Sequence, residues 1–144
     1  MEELALAPQT IATSSIPAQQ KLPLGEHLIK YGNRKIAYGY ALGVTRTTIY
    51  TTPKDRIFFI EVITLAGQNG VSASQDFIAR INQEQIMDGV SGVAVPVNLY
   101  QHFPVFLKLM PTDTLSIESF HASSGGFLGA VGYEIDISLI KDFI

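Results

Sequence analysis

The chain has 144 residues, of which 47% are apolar and only 16% are charged, and its net charge is −3 at pH 7. Its ten basic residues are scattered, which argues against nucleic-acid binding, because that function needs clustered Lys and Arg. It has no cysteine and therefore no disulfide framework or thiolate metal site. No apolar run approaches the roughly 18 residues of a membrane span, and the acidic start lacks the basic region of a secretory signal. Neither nucleic acid nor a membrane is an expected partner.

The low charge content is itself informative about the surface. Soluble domains usually carry about 25% charged residues, so part of this surface is expected to be covered by partners or built from uncharged polar side chains. The length fits one domain of ordinary size that buries its own core.

The first 24 residues differ from the rest of the chain. They contain three prolines and many Ser, Thr, Gln and Ala residues, without a clear hydrophobic period. A disordered tail is one interpretation. An extended arm along a neighbouring subunit is the other, because the segment is more apolar than a solvated tail requires. We therefore predict an N-terminal arm over 1–24 and a β domain over 25–144, with arm contacts at Leu4, Leu6, Ile11 and Ile16.

From Lys35 onward, short segments rich in β-branched and aromatic residues alternate with turn signals. About eight strands at this spacing predict an all-β fold, a single jelly-roll-like sandwich of antiparallel strands. Residues 74–88 are open to two interpretations. A hairpin of two strands is favoured, and a helix ending at Gly89 is the alternative.

The segment 57–65 is apolar in both alternating sets of positions. One set packs the core, and the other needs either helices, which the pattern does not predict, or a second subunit. We expect the outward side, assigned to Phe58, Ile60 and Val62, to contact a partner. A homo-oligomer follows, and a trimer is the common closed assembly of jelly-roll subunits.

The closing segment Gly129–Ile140 places Glu134 and Asp136 about 7 Å apart on one face of a strand. Glycosidase carboxylates lie at similar separations. However, Tyr133, Ile135 and further apolar residues alternate with the two acids, so a solvated strand face is the favoured interpretation.

No other pattern predicts chemistry. The three histidines, His27, His102 and His121, share no metal-ligand spacing, and neither a phosphate loop nor a nucleophile elbow occurs. We expect no catalytic residues, no metal and no cofactor. Six tyrosines leave a carbohydrate-binding face open as an alternative.

Four segments in chain order resemble the small jelly-roll structural proteins of tailed bacteriophages. They read PKDRIFFIEVITLAG, FIARINQEQI, FPVFLKLMPTDTLSIES and GAVGYEIDISLI, and they span residues 53–139. The family pattern places a Pro-containing turn before a strand and ends in a strand of the form GYE-apolar-D-apolar.

The resemblance implies a non-enzymatic virion structural protein. A capsid decoration (cementing) protein is the first expectation, located on the capsid surface or tail. It would form a homotrimer and bind the major capsid protein or another virion protein. The alternative is a carbohydrate- or receptor-binding jelly-roll module of a phage tail or fibre. An enzyme of the cupin type is disfavoured, because it needs several histidines on adjacent strands.

Overall fold

The computed structural model describes residues 22–68, 77–89, 97–122 and 125–144. Along these residues, one helix is followed by eight strands and two short 3-10 turns. Their bounds are α1 (Leu24–Tyr31), β1 (Asn33–Leu42), β2 (Thr45–Thr51), β3 (Arg56–Gln68), β4 (Phe77–Ile81), β5 (Glu84–Gly89), β6 (Val97–Leu109), β7 (Thr114–Ser119) and β8 (Gly125–Asp136), with 3-10 turns at Ile137–Leu139 and Lys141–Phe143. The predicted arm contacts Leu4, Leu6, Ile11 and Ile16 lie outside the described residues.

The strands form two four-stranded antiparallel sheets. The first sheet has the order β1-β8-β3-β6, and the second has the order β2-β7-β4-β5. Consecutive strands lie in different sheets, except β4 and β5, which are neighbours in the second sheet. The β1–β2 pair therefore lies beside β8–β7, and the β3–β4 pair lies beside β6–β5. This wrapping is the jelly-roll arrangement. The predicted all-β sandwich of about eight antiparallel strands is confirmed.

The main core lies between the two sheets. Phe58 and Ile60 from β3 meet Phe77 from β4 and Leu115 and Ile117 from β7, and all five side chains are fully buried. Leu115 and Ile117 alternate with Ser116 and Glu118 along β7 and point inward. Burial of each such side chain contributes roughly 1.5–3 kcal/mol, which makes this cluster the principal source of stability.

A β-bulge in β3 decides which side chains face the core. The register of β3 with both of its neighbours shifts between Ile60 and Val62, and in the pairing with β8 the extra residue is Glu61. Before the bulge the even-numbered residues point inward, and after it the odd-numbered residues do, because one inserted residue exchanges the two faces. Gly132 lies opposite Ile60, where an added Cβ would be only 1.9 Å from the carbonyl oxygen of Phe59.

The bulge corrects the predicted outward face of 57–65. Phe58 and Ile60 have no exposed surface and belong to the main core, so their assignment to the outward side is wrong. Val62 follows the bulge and lies on the outer face, where it is half-buried. Before the bulge, the outward residues are Ile57 and Phe59.

Helix α1 and the C-terminal turns cover that outer apolar surface. Leu28 of the helix, Ile57, Phe59, Ile135 and Ile140 form a second buried cluster. The helix follows a proline at position 23, has an acidic residue in its first turn and has a basic residue in its last, as the helix dipole favours. The expectation that no helix covers this strand is therefore wrong. The chain itself, and not a second subunit, buries the outward side chains before the bulge.

Two interpretations were open for residues 74–88, and over the described part, 77–88, the one of two strands is correct. β4 and β5 pair as an antiparallel hairpin. Asn82 forms the turn with φ of 54°, a left-handed conformation that Asn tolerates better than most residues. Its side chain donates to Asp113 over 2.9 Å and accepts from the backbone N–H of Thr114 over 3.0 Å. These bonds fasten the hairpin to the start of β7.

The closing strand begins and ends earlier in the chain than predicted, and its faces are reversed. β8 ends at Asp136, and a 3-10 turn follows. Tyr133 and Ile135 point outward beneath α1, whereas Glu134 is paired with Phe58 and points inward. The prediction of a solvated face is wrong for Glu134, because the alternation of side chains does not tell which of two covered faces is the core.

Replacing Leu28 with Ala tests whether the helix-covered cluster contributes to global stability. We expect the free energy of unfolding to fall by about 2–5 kcal/mol, as for other fully buried leucines. Ile29 on the same helix is 68% exposed, and Ile29→Ala should change stability by less than about 0.5 kcal/mol. Urea unfolding followed by circular dichroism measures both variants. Equal effects would mean that α1 does not pack as the structure shows.

Candidate interaction surface

The outer face of β1 exposes a row of large apolar side chains. Ile36, Tyr38, Tyr40 and Leu42 are each between 60% and 67% exposed, although they alternate with small residues that face the interior. We call these four residues, together with Phe127 of β8, the apolar ladder. Exposed apolar surface of this extent on one face usually marks an interaction site.

Neighbouring β8 extends the ladder and keeps it flat. Tyr40 is opposite Phe127, and Tyr38 is opposite Gly129. The rings of Tyr38 and Phe127 are stacked, with centroids 6.4 Å apart and planes 29° apart. A Cβ at Gly129 would lie 3.2 Å from the Phe127 ring, so glycine lets that ring lie low across the strand. The result is a level aromatic surface.

A polar group separates the ladder from the helix-covered half of the same face. The Arg34 guanidinium donates to Glu61 at the bulge over 3.1 Å and lies 5.0 Å from the centre of the Tyr133 ring. The hydrogen bond to Glu61 raises the pKa of Arg34 above its ordinary value. His102 Nε2 lies 3.9 Å from the other carboxylate oxygen of Glu61. The bulge residue thus marks one boundary of the apolar surface.

The outer face of the second sheet has the opposite character. Arg80 is paired with Glu118 at 3.1 Å. Arg46 donates to Ser116 over 3.2 Å and to Gln83 over 2.8 Å. These side chains satisfy one another and present a polar surface to water. Of the two described outer faces, the one carrying the ladder is therefore suited to apolar docking.

The two carboxylates of the closing segment have different hydrogen-bond partners. Glu134 accepts hydrogen bonds from the Tyr50 hydroxyl and from Arg56, and only 13% of its side chain is exposed. Asp136 instead accepts from the hydroxyl and the backbone N–H of Ser138, and these bonds lower its pKa. Each carboxylate therefore has a structural partner of its own.

Tyr50 lies at the inner end of this polar group and packs against Phe58. Burial raises its pKa well above the ordinary value, and the hydrogen bond to the charged Glu134 acts in the same direction. The Tyr50 hydroxyl therefore keeps its proton and donates it in the hydrogen bond to Glu134.

The histidines lie in separate places. His27 Nε2 is 2.5 Å from the carbonyl oxygen of Leu139, and its ring contacts those of Tyr31 and Phe143. This contact ties α1 to the C-terminal turns. Within the described ranges, no three His, Asp or Glu side chains are grouped so that they could hold a metal ion. Among the same residues, no helix is long and apolar enough to cross a membrane.

The apolar ladder was not predicted from the sequence, although the alternation of residue sizes in β1 indicates it. Ala37, Gly39 and Ala41 alternate with the four large residues of β1. Large apolar residues of a strand are usually expected to point into the core. In β1 the small residues point inward instead, into the narrow space beside β2. A Cβ at Gly39 would lie 2.8 Å from the Ile49 side chain, which leaves no room for a larger inward residue.

Comparisons with known proteins find only distant structural likenesses. No protein-family model and no curated protein sequence matches the chain. A chain of the cyanophage Pam1 capsid asymmetric unit aligns with 82% of this chain and 95% of its own length, at TM-score 0.45 and 14% identity. A chain of the disulfide-linked pili of Bacillus endospore appendages aligns with 74% and 90%, at TM-score 0.32 and 14% identity. Likenesses this distant carry no conclusion about function.

The raised pKa of Tyr50 predicts that the protein loses stability at high pH. The pKa of Tyr50 is raised in the native state relative to about 10 in the unfolded chain. The native state therefore keeps a proton that the unfolded state releases, so this stability is present below about pH 10 and is lost as pH rises further. Urea unfolding between pH 8 and pH 11.5 should show a steeper decline for the wild type than for Tyr50→Phe. Tyr38→Phe is the control for loss of a tyrosine at an exposed site, and it should decline like the wild type.

Proposed function

We propose that the chain is a non-enzymatic structural protein of a virion, and that it binds a shell protein through the apolar ladder. The observation that carries the proposal is the contrast between the two outer faces. One exposes Tyr38, Tyr40 and their apolar neighbours, whereas the other is a network of paired charges and amides. Tyrosine-rich apolar surfaces of this kind are typical of the centre of protein–protein interfaces.

A decoration role follows from mass action. A protein that binds only the assembled shell stabilises that shell. The stabilisation grows with the ratio of the free protein's concentration to its dissociation constant. The major capsid protein is the proposed partner. Glu134 and Glu61 each bind neighbouring side chains of the chain itself, which supports a structural role for these polar groups.

The N-terminal arm is the second proposed contact. Leu4, Leu6, Ile11 and Ile16 give it apolar anchors, and a tethered second contact raises overall binding through effective concentration. The predicted boundary at residue 24 falls on the first residue of α1, so a functional arm ends before the helix. The trimer that the resemblance implies is an alternative to the two-chain assembly proposed below, and the mass measurement described there distinguishes the two.

Carbohydrate binding is the second candidate function, and one observation favours it. Tyr38, Tyr40 and Phe127 form a level, exposed aromatic surface, and sugar rings stack on such surfaces. The candidate sugar site would then be the outer face of the first sheet. Binding on a glycan array that is lost in Tyr38→Ser would favour this alternative over shell binding.

The double variant Tyr38→Ser/Tyr40→Ser tests the ladder as the shell contact. Purified particles of the encoding virus, stripped of this protein and then resupplied with it, should rebind the wild type. Loss of each interfacial tyrosine costs about 2 kcal/mol or more, or roughly thirtyfold in affinity. Particle-bound protein after sedimentation is the measurement.

Val105→Ser is the matched control for that experiment. Val105 is 76% exposed but lies on β6, at the opposite edge of the same sheet. It should bind like the wild type, while circular dichroism shows all variants folded. Undiminished binding of the double variant, or absence of the protein from native particles, would contradict the proposal.

Removal of residues 1–21 separates the arm from the β domain. We expect the truncated protein to keep its oligomeric mass in light scattering, because the described core and ladder are intact. Its binding to stripped particles should weaken, because one of two contacts is lost. A truncated protein that falls apart into monomers would instead assign self-association to the arm.

A further inference from the structure

The four edge strands of the two sheets differ in how they are protected against pairing with another chain. A free edge presents unpaired N–H and C=O groups, and proteins usually guard it with charges, prolines or bulges. β6 contains Pro104 and the irregular pairing around the Glu61 bulge. β2 carries Arg46 and a register shift, and β5 carries two acidic residues and a register shift beside it.

Along most of its length, β1 has no charge, proline or bulge that would protect its edge. Its pairing with β8 runs without a register shift from Asn33 to Leu42. From Ile36 to Leu42 it contains no proline and no charged residue, and its outward side chains are apolar. Among the edge strands of the described chain, β1 is thus the one that offers a long, regular, uncharged edge.

We propose that β1 pairs with β1 of a second copy of this chain, antiparallel about a two-fold axis at Gly39. In this register Ile36 lies opposite the partner's Leu42, and Tyr38 lies opposite the partner's Tyr40. Opposite residues of antiparallel strands point to the same face, so each exposed apolar residue gains an apolar neighbour. The backbone groups on the outer edge of β1, which pair with no other described strand, would then bond to those of the second copy.

The charges of β1 favour a second copy in this orientation. Arg34 and Lys35 lie at one end of the strand. Antiparallel pairing about Gly39 places Arg34 ten residues from the partner's Arg34, or about 33 Å at the rise of a β-strand. Parallel pairing would bring the like charges together, which is unfavourable. The strand is therefore complementary to itself in one direction only.

The proposed pairing joins two chains and does not continue to a third. The joined sheet has eight strands, and its two outer edges are both β6, which Pro104 and the bulge protect. The contact is isologous and closes as a dimer, whereas an edge that matched a different edge would continue into a filament. The two ladders meet at the axis and form one continuous apolar surface.

Two charge variants test the register. Ile36→Lys/Leu42→Lys places lysine opposite lysine twice, so we expect loss of the dimer. Ile36→Glu/Leu42→Lys places glutamate opposite lysine twice, so we expect the dimer to be retained. In light scattering, the wild type and the second variant should show twice the 15.7 kDa chain mass and the first variant a single mass.

The substituted residues are exposed on the outer face, and unfolding in urea should confirm that both variants fold. Equal masses for the two variants, or a wild-type mass of one or three chains, would overturn the proposal. Because the measurement uses the free protein, failure of the pairing leaves shell binding by the ladder untouched, and failure of shell binding leaves the pairing untouched.

Cysteine cross-linking provides an independent measurement, because the chain has no cysteine of its own. Opposite residues lie within the Cα separation that a disulfide requires, whereas residues two positions out of register do not. A mixture of Tyr38→Cys and Tyr40→Cys chains should therefore cross-link faster than either variant alone. Equal rates in the mixture and in the separate variants would exclude this register.

Discussion

The bulge at Glu61 is the constraint on which the rest of the structure depends. By inserting one residue into β3, it directs Phe58 and Ile60 inward before the shift and Ile63 and Leu65 inward after it. The outward positions are divided accordingly. Ile57 and Phe59 are available to α1 on one side of the bulge, while the sheet beyond it stays uncovered by the helix.

That division gives one sheet face two functions. The half under α1 is a second core, in which Leu28 and Ile140 complete the packing of the chain itself. The other half carries the apolar ladder, and Arg34 and Glu61 lie between the two. β1 exposes the ladder and also forms the sheet edge that lacks a protecting proline, charge or bulge. The proposed self-pairing joins the backbone edges of β1, and the proposed shell contact uses the outward side chains that this pairing would bring together.

The sequence predicts the fold class well because alternation and turn chemistry are local. The hairpin at Asn82 and the inward faces of Leu115 and Ile117 follow from such signals. The choice between two apolar faces is not local. Phe58 and Glu134 were assigned to the wrong sides, because a bulge and a short helix far along the chain decide which face is covered. The ladder was missed because the narrow space beside Ile49 admits only small inward residues on β1.

The triplet Gly132-Tyr133-Glu134 has a separate structural reason for each residue. Glycine is needed where the bulged backbone of Phe59 comes too close for a Cβ. Tyrosine packs under the helix-covered surface, and glutamate accepts from Tyr50 and Arg56 inside the sandwich. These requirements arise from contacts within the chain and not from contacts with a binding partner. Relatives that have diverged beyond recognition by overall identity should therefore still be recognisable by this triplet in the last strand and by an extra residue in the third.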